Sequence, residues 1–221
     1  MQVYIIKESN SDSRVAASPD TVKKMTDWGL NVVIQDNAGL NSNFSNEDYV
    51  KSGASISNEI ADLSKSDLIL KINKPNDDEI TLMNEGSILI ASLDPYNNSE
   101  TLNKLKDKGV TSFAMELMPR ITRAQSMDIL SSQSNLAGYK AVIDATYLFN
   151  KAMPMMMTAA GTIAPAKVMV FGAGVAGLQA IATAKRLGAI VSATDVTAGT
   201  IAPAKVMVFG AGVAGLQAIA T

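Results

Sequence analysis

The chain has no cysteine and no histidine. Without thiols there can be no disulfide, no thiolate metal site and no cysteine nucleophile, an absence that fits a cytosolic setting. Without imidazole there is no Ser-His-Asp triad, no histidine general base and no histidine metal ligand. Chemistry is left to carboxylates, lysine, arginine and amides, or to a bound cofactor that carries the reaction itself, and the last is favoured. Charge of one sign is also missing: 19 basic residues face 21 acidic ones, for a net charge of -2. The lysines and arginines are scattered rather than gathered, so nucleic acid is not an expected partner. Long apolar runs are absent too. The most apolar stretch, after Met153, is broken by Lys167, Gln179 and Lys185, short of the about 20 continuous residues a membrane span needs. The opening run Val3 to Ile6 is too short for a signal peptide core and reads as a first strand. Membrane association is therefore expected only through partners.

The 221 residues are 47% hydrophobic, enough for one or two buried cores. Short apolar runs alternate with helical patterns. After the first strand come a helix over Pro19 to Trp28, stopped by Gly29, and a strand over Val32 to Ile34 before the turn Asp36-Asn37-Ala38-Gly39. Further strands are expected over Leu68 to Ile72, Ser87 to Ile90 and Thr111 to Ala114, with helices near Asp77 to Met83 and Ser99 to Lys108. This is βαβ grammar, and it predicts a parallel-sheet α/β domain over 1–125. Residues 126–157 read as a connecting helix and hinge, helical from Ser126 to Ala152. The run Met155-Met156-Met157 just past Pro154 reads as core filling rather than a ligand patch.

Ala160 to Thr183 recurs without a single substitution as Ala198 to Thr221. Solenoid repeats drift at exposed positions and usually number three or more, so this identity points to recent duplication or an assembly error rather than a functional tandem array.

Lys167-Val168-Met169-Val170-Phe171 is a strand-like run followed by Gly172-Ala173-Gly174-Val175-Ala176-Gly177 and a helical stretch from Leu178 through Leu187. The order of strand, glycines and helix is that of a dinucleotide-binding turn. Gly172 serves the tight turn, Gly174 the approach of a pyrophosphate, and Gly177 close packing of helix on sheet, with the helix amino terminus attracting phosphate. Gly188 ends the helix, Ala189 to Ala193 supplies a second strand, and Asp195 lies 18 residues past the last glycine. There, beside Val196, a carboxylate can hold the ribose hydroxyls and repel a 2′-phosphate, which favours NAD(H) over NADP(H). Residues 158–221 are thus expected to form a partial Rossmann NAD(H)-binding domain. Lys205 to Phe209 should dock as a third parallel strand, whereas the second turn, Gly210 to Gly215, has no acid after it and should bind dinucleotide poorly.

Pro119-Arg120-Ile121-Thr122-Arg123-Ala124-Gln125-Ser126-Met127-Asp128-Ile129-Leu130-Ser131-Ser132, continuing to Ala137-Gly138-Tyr139-Lys140, resembles the NAD(H)-binding alpha subunit of proton-translocating nicotinamide nucleotide transhydrogenase. The resemblance runs from Met1 to about Val196 and takes in Ser13 to Pro19, Leu70 to Pro75, Thr158 to Gly161 and the fingerprint. It implies two Rossmann-like parallel-sheet domains joined by a long helix, the second incomplete here. It implies that the loop carrying Arg120, Arg123, Gln125 and Asp128, with Ser131 nearby, contacts the nicotinamide end of the cofactor across a cleft. Hydride would then pass directly from NADH to NADP+ on a partner domain, coupled to proton translocation by membrane subunits. Arg120, Gln125 and Asp128 would align the rings, a task that needs no proton exchange. The resemblance further implies a homodimer at the cytoplasmic face of the inner membrane, with an NADP(H)-binding subunit and a membrane-spanning subunit as partners.

In the related alanine dehydrogenases, an arginine and a lysine at the places of Arg14 and Lys71 hold the substrate. Those enzymes also use a histidine that this chain lacks, so here the two side chains read as structural or loosely electrostatic. Two alternatives stay open: an inactive truncated or chimeric NAD-binding fragment, and an alanine dehydrogenase relative.

Overall fold

Val3, Tyr4, Ile5 and Ile6 are wholly buried. They belong to β1 (Gln2–Ile5) and its end, an inner strand of a parallel sheet whose two faces are both covered, the setting in which a strand can be apolar at every position. A computed structural model describes residues 1–9 and 11–196 and, along the backbone, Met207 and Val208. The chain divides into two units, Met1–Asp128 and Ile129–Thr221.

In the first unit β1 is followed by α1 (Pro19–Asp27), β2 (Asn31–Gln35), α2 (Asn46–Lys51), β3 (Ser55–Ser57), β4 (Leu68–Leu70), α3 (Asp77–Leu82), β5 (Ile88–Ala91), α4 (Ser99–Asp107) and β6 (Thr111–Ala114). The strands lie in the order β3-β2-β1-β4-β5-β6, all parallel. That is the doubly wound arrangement, with the order reversing between β1 and β4. Alternation along β1 feeds two cores. Val3 and Ile5 pack with Val22, Val32, Ile34 and Tyr49 on one face, while Tyr4 and Ile6 pack with Leu63, Ile69, Ile80, Leu89 and Leu105 on the other. Each large aliphatic buried this way is worth about 1.5–3 kcal/mol.

Helix starts are set locally. The Ser18 hydroxyl accepts from the Thr21 amide, and Pro19 occupies the first helical position of α1. Ser45 with Asp48, and Asn76 with Glu79, form reciprocal capping boxes at α2 and α3.

The second unit contains α5 (Ile129–Leu148), a hairpin of β7 (Met156–Thr158) and β8 (Gly161–Ile163), then β9 (Lys167–Phe171), α6 (Val175–Arg186), β10 (Ile190–Thr194) and β11 (Met207–Val208). The helix expected from Ser126 to Ala152 starts later, because Thr122–Met127 is a tighter 3-10 turn, and it ends at Leu148. It packs on α6, placing Val142 in a core with Ile181, Ala184, Val191 and Ala193. The three parallel strands run β11-β10-β9. The anticipated third strand is present at Met207–Val208, and the rest of the second repeat copy lies outside the described residues.

One expectation is overturned. Met155, Met156 and Met157 do not fill a core: they are exposed on the β7-β8 hairpin, a two-stranded ribbon with too little sheet to bury either face, while Met153 is the buried one.

Candidate functional site

In the second unit β9, α6 and β10 form the βαβ element that the glycine pattern requires. Gly172 leaves the strand at φ +89, in the left-handed region that a residue with a Cβ rarely adopts, and its amide donates to the Thr194 carbonyl at 2.8 Å. Gly177 has a different duty. A Cβ there would lie 1.8 Å from the Gly172 carbonyl oxygen, so only glycine lets the first turn of α6 sit against the end of β9. Gly174 caps α6 without any side-chain acceptor, and a Cβ built on it meets nothing within 4 Å. The backbone amides that open a helix have no intrahelical acceptor, and open space beside Gly174 is what a pyrophosphate would need in order to reach them. The residues therefore fit a dinucleotide.

Asp195 completes the element. Its carboxylate accepts the Ala173 amide hydrogen at 2.5 Å, and Ala173 is itself fully buried, so the acid is held at the turn by the backbone of the fingerprint. Val196, next along, is almost fully exposed. Ala173, Gly174, Val175, Ala176 and Gly177 thus lie between the acid and the helix start, as the spacing predicts.

Arg120, Arg123, Gln125 and Asp128 belong to the first unit, and Ser131 opens α5 in the second. The Thr122–Met127 turn buries Ala124 and leaves Arg123 and Gln125 exposed; Arg120, just before it, is also exposed, and Asp128, just after it, is half-buried. Its local hydrogen bonds, from the Ala124 amide to Ile121 and from the Asp128 amide to Gln125, fix the backbone around these side chains.

The first unit has a polar cluster of its own where its strand order reverses. Glu8, just past β1, accepts from the Ile72 amide at 2.7 Å and from the Asn73 side-chain amide at 2.9 Å, both just past β4. The Asn73 amide also donates to Asp12 at 2.8 Å, and Arg14 grips Asp12 through Nε at 2.9 Å and Nη2 at 2.6 Å. The Arg14 hydrogen bond holds the Asp12 carboxyl well below the usual carboxylate range, and the same bond raises Arg14. Lys71 is buried against Glu79, with Nζ 2.5 and 2.6 Å from the two carboxylate oxygens, and Glu79 also accepts from the Asn76 amide at 2.8 Å. The structural reading of Arg14 and Lys71 agrees with this. Glu8, Asp12 and Asn73 escaped the sequence reading because their partners lie as much as 65 residues away, and no local pattern marks them.

Two family models match: "Alanine dehydrogenase/PNT, N-terminal domain" over residues 4–137 and "Alanine dehydrogenase/PNT, C-terminal domain" over residues 141–199. The chain belongs to the alanine dehydrogenase/PNT family. Within it, the chain is 51% identical to an NAD(P) transhydrogenase subunit alpha of Rhodospirillum rubrum, an alignment covering 89% of this chain and 53% of that protein. It superposes on the crystal structure of transhydrogenase from Sinorhizobium meliloti with a TM-score of 0.91 at 51% identity, covering 95% of this chain and 64% of that one. Alanine dehydrogenase of Staphylococcus saprophyticus is more distant, 32% identical over 89% of this chain and 53% of its own length. The similarity therefore favours the transhydrogenase branch of the family. The chain spans about half the length of these curated relatives.

Proposed function

We propose that the second unit binds NAD(H) and that the chain acts as the NAD(H)-binding component of a proton-translocating transhydrogenase. The observation that carries this reading is the Asp195 carboxylate fixed on the Ala173 amide beside an open Gly174. The amides opening α6 would hold the pyrophosphate, and Asp195 the ribose hydroxyls, excluding a 2′-phosphate. The nicotinamide supplies or accepts the hydride when bound. Arg120, Arg123, Gln125, Asp128 and Ser131 would contact its nicotinamide end, with Gln125, Asp128 and Arg120 aligning it through amide and charge-assisted hydrogen bonds. No side chain has to exchange a proton, so the missing histidine is no obstacle.

The acceptor in this scheme is NADP+ on a partner domain, and proton coupling belongs to membrane-spanning subunits. No helix of the described residues is long and apolar enough to cross a membrane, which supports attachment to the cytoplasmic membrane face through those partners. The proposed assembly contains two copies of this chain. The test is reconstitution with an NADP(H)-binding transhydrogenase subunit, comparing the chain with Gln125→Asn. Hydride transfer from NADH should appear, and the substitution should reduce its rate at least about 10-fold with NADH affinity little changed. Transfer that survives the substitution intact would remove Gln125 from the aligning role.

A second reading, an NAD-binding fragment without turnover, is favoured by the exact repeat of 160–183 at 198–221. It predicts NADH binding with no transfer on reconstitution.

A further inference from the structure

The two helices of the second unit meet backbone to backbone at one point. A Cβ built on Gly138, in the middle of α5, would lie 2.0 Å from the Ala176 carbonyl oxygen and 2.8 Å from its carbonyl carbon, far inside van der Waals contact. Gly138 is buried, and Val142, one turn on, is anchored in the core with Ile181 and Ala184 of α6. Ala176 belongs to the first turn of α6, directly before Gly177, and Gly177 in turn lies against the Gly172 carbonyl. Three backbones are therefore stacked with no side chain between them: α5 at Gly138, the opening turn of α6, and the turn that leaves β9. A glycine inside a helix costs about 1 kcal/mol relative to alanine, so its presence in the middle of α5 calls for a compensating contact, and this stacking supplies one.

We infer that Gly138 is a positioning residue of the dinucleotide site, setting from the neighbouring helix where the amides of Val175, Ala176 and Gly177 stand. The inference rests on the NAD(H) reading proposed above and extends it to a residue outside the glycine fingerprint. Any side chain at 138 must push α5 and the first turn of α6 apart. Val142 resists the retreat of α5, so part of the displacement falls on the turn that faces the phosphates. Displacements near 1 Å at such a site cost far more in ligand contact than in folding. The loss should fall on the pyrophosphate and spare the adenosine end.

The experiment is calorimetric titration of the full chain with NADH and, separately, with adenosine, alongside thermal unfolding, for the unsubstituted protein, Gly138→Ala and Val142→Ala. Gly138→Ala should weaken NADH binding at least about 10-fold while adenosine binding stays within about 2-fold. Val142→Ala, which opens a cavity in the same helix contact without pressing on the turn, should lower the unfolding temperature and leave the ratio of the two affinities unchanged. If Gly138→Ala does not fold, Ser134→Val, which enlarges the half-buried position one turn earlier on the same face, is held to the same criterion with an expected loss of about 3-fold. Equal loss of NADH and adenosine affinity, or no loss of either, overturns the role of Gly138 alone. Failure of the unsubstituted chain to bind NADH overturns the NAD(H) reading, and the role of Gly138 with it.

Discussion

The two units share one strand-and-helix grammar but differ in how far it closes. In the first, six parallel strands are covered on both faces, and the point where the strand order reverses is filled by Glu8, Asp12, Asn73 and the Arg14 side chain. In the second, one face of the sheet packs Val168, Val170, Val191 and Ala193 under the helices, while the alternate residues Met169, Phe171 and Ile190 are exposed, Phe171 at 81%. The carboxyl ends of its strands carry glycines and open space where the first unit carries ion pairs. Doubly wound sheets offer a ligand crevice at such places. Whether it holds a ligand or a structural polar network depends on which side chains the neighbouring loops supply.

The comparison is broken most directly at Lys71. Lys71→Met leaves the Glu79 carboxylate buried without its cation and should cost about 3–5 kcal/mol in denaturant unfolding of the first unit. NADH affinity of the second unit should be unchanged wherever the chain remains folded; a specific loss of NADH affinity would mean that the Lys71 pair serves the cofactor after all. The closure of the two sheets can be set side by side next. Leu89→Ala, at a fully buried position of β5, should cost about 2–5 kcal/mol, whereas Phe171→Ala on the exposed face of β9 should stay within about 0.5 kcal/mol. Similar costs at both would show that the face bearing Phe171 is covered in solution.

Asp195→Ser removes a charged acceptor worth about 1.5–3 kcal/mol, so NADH binding should weaken about 10-fold or more while discrimination against NADPH relaxes. Equal NADH affinity in a fluorescence titration would take Asp195 out of the ribose site. The smallest effect is expected at Asp12. Its carboxyl is depressed in the folded protein, so its stabilisation is complete above the ordinary value of 3.8 and is lost as pH falls through the folded one. Because Arg14 is partly exposed, the pair should contribute no more than about 1 kcal/mol. The stability gap between the unsubstituted chain and Asp12→Asn should therefore be present at neutral pH and shrink on acidification below about pH 4. A gap that widens in acid would contradict the sign.

Much of the first unit could be read from its sequence, because β1, β2, β4 and β5 are short apolar runs bounded by turns and the helices between them have clear starts. The pair α2 and β3 went unread. The capping box of Ser45 and Asp48 was a usable signal for α2, but a strand of Ser55, Ile56 and Ser57 has neither the length nor the alternation to declare itself. Without β3 the strand order could not be worked out, and with it went the point of reversal and the cluster around Glu8. The fingerprint was legible because its chemistry is local: strand, glycines, helix and acid follow within one βαβ unit. The approach of Gly138 to Ala176 was not, since a contact between helices 38 residues apart leaves no mark on either segment. Exposure of Met155, Met156 and Met157 was misjudged for a related reason: apolar composition does not reveal that a hairpin has no sheet to join.

The central claim is that the second unit's Gly172 turn, with Asp195 fixed on it, is a working NAD(H) site. The most direct measurement is calorimetric titration of NADH and of NADPH into this chain and into a shortened chain ending at Val196. The account predicts saturable NADH binding by both proteins, with NADPH bound at least about 10-fold more weakly. Absence of NADH binding by both, or NADPH bound as tightly as NADH, would contradict it.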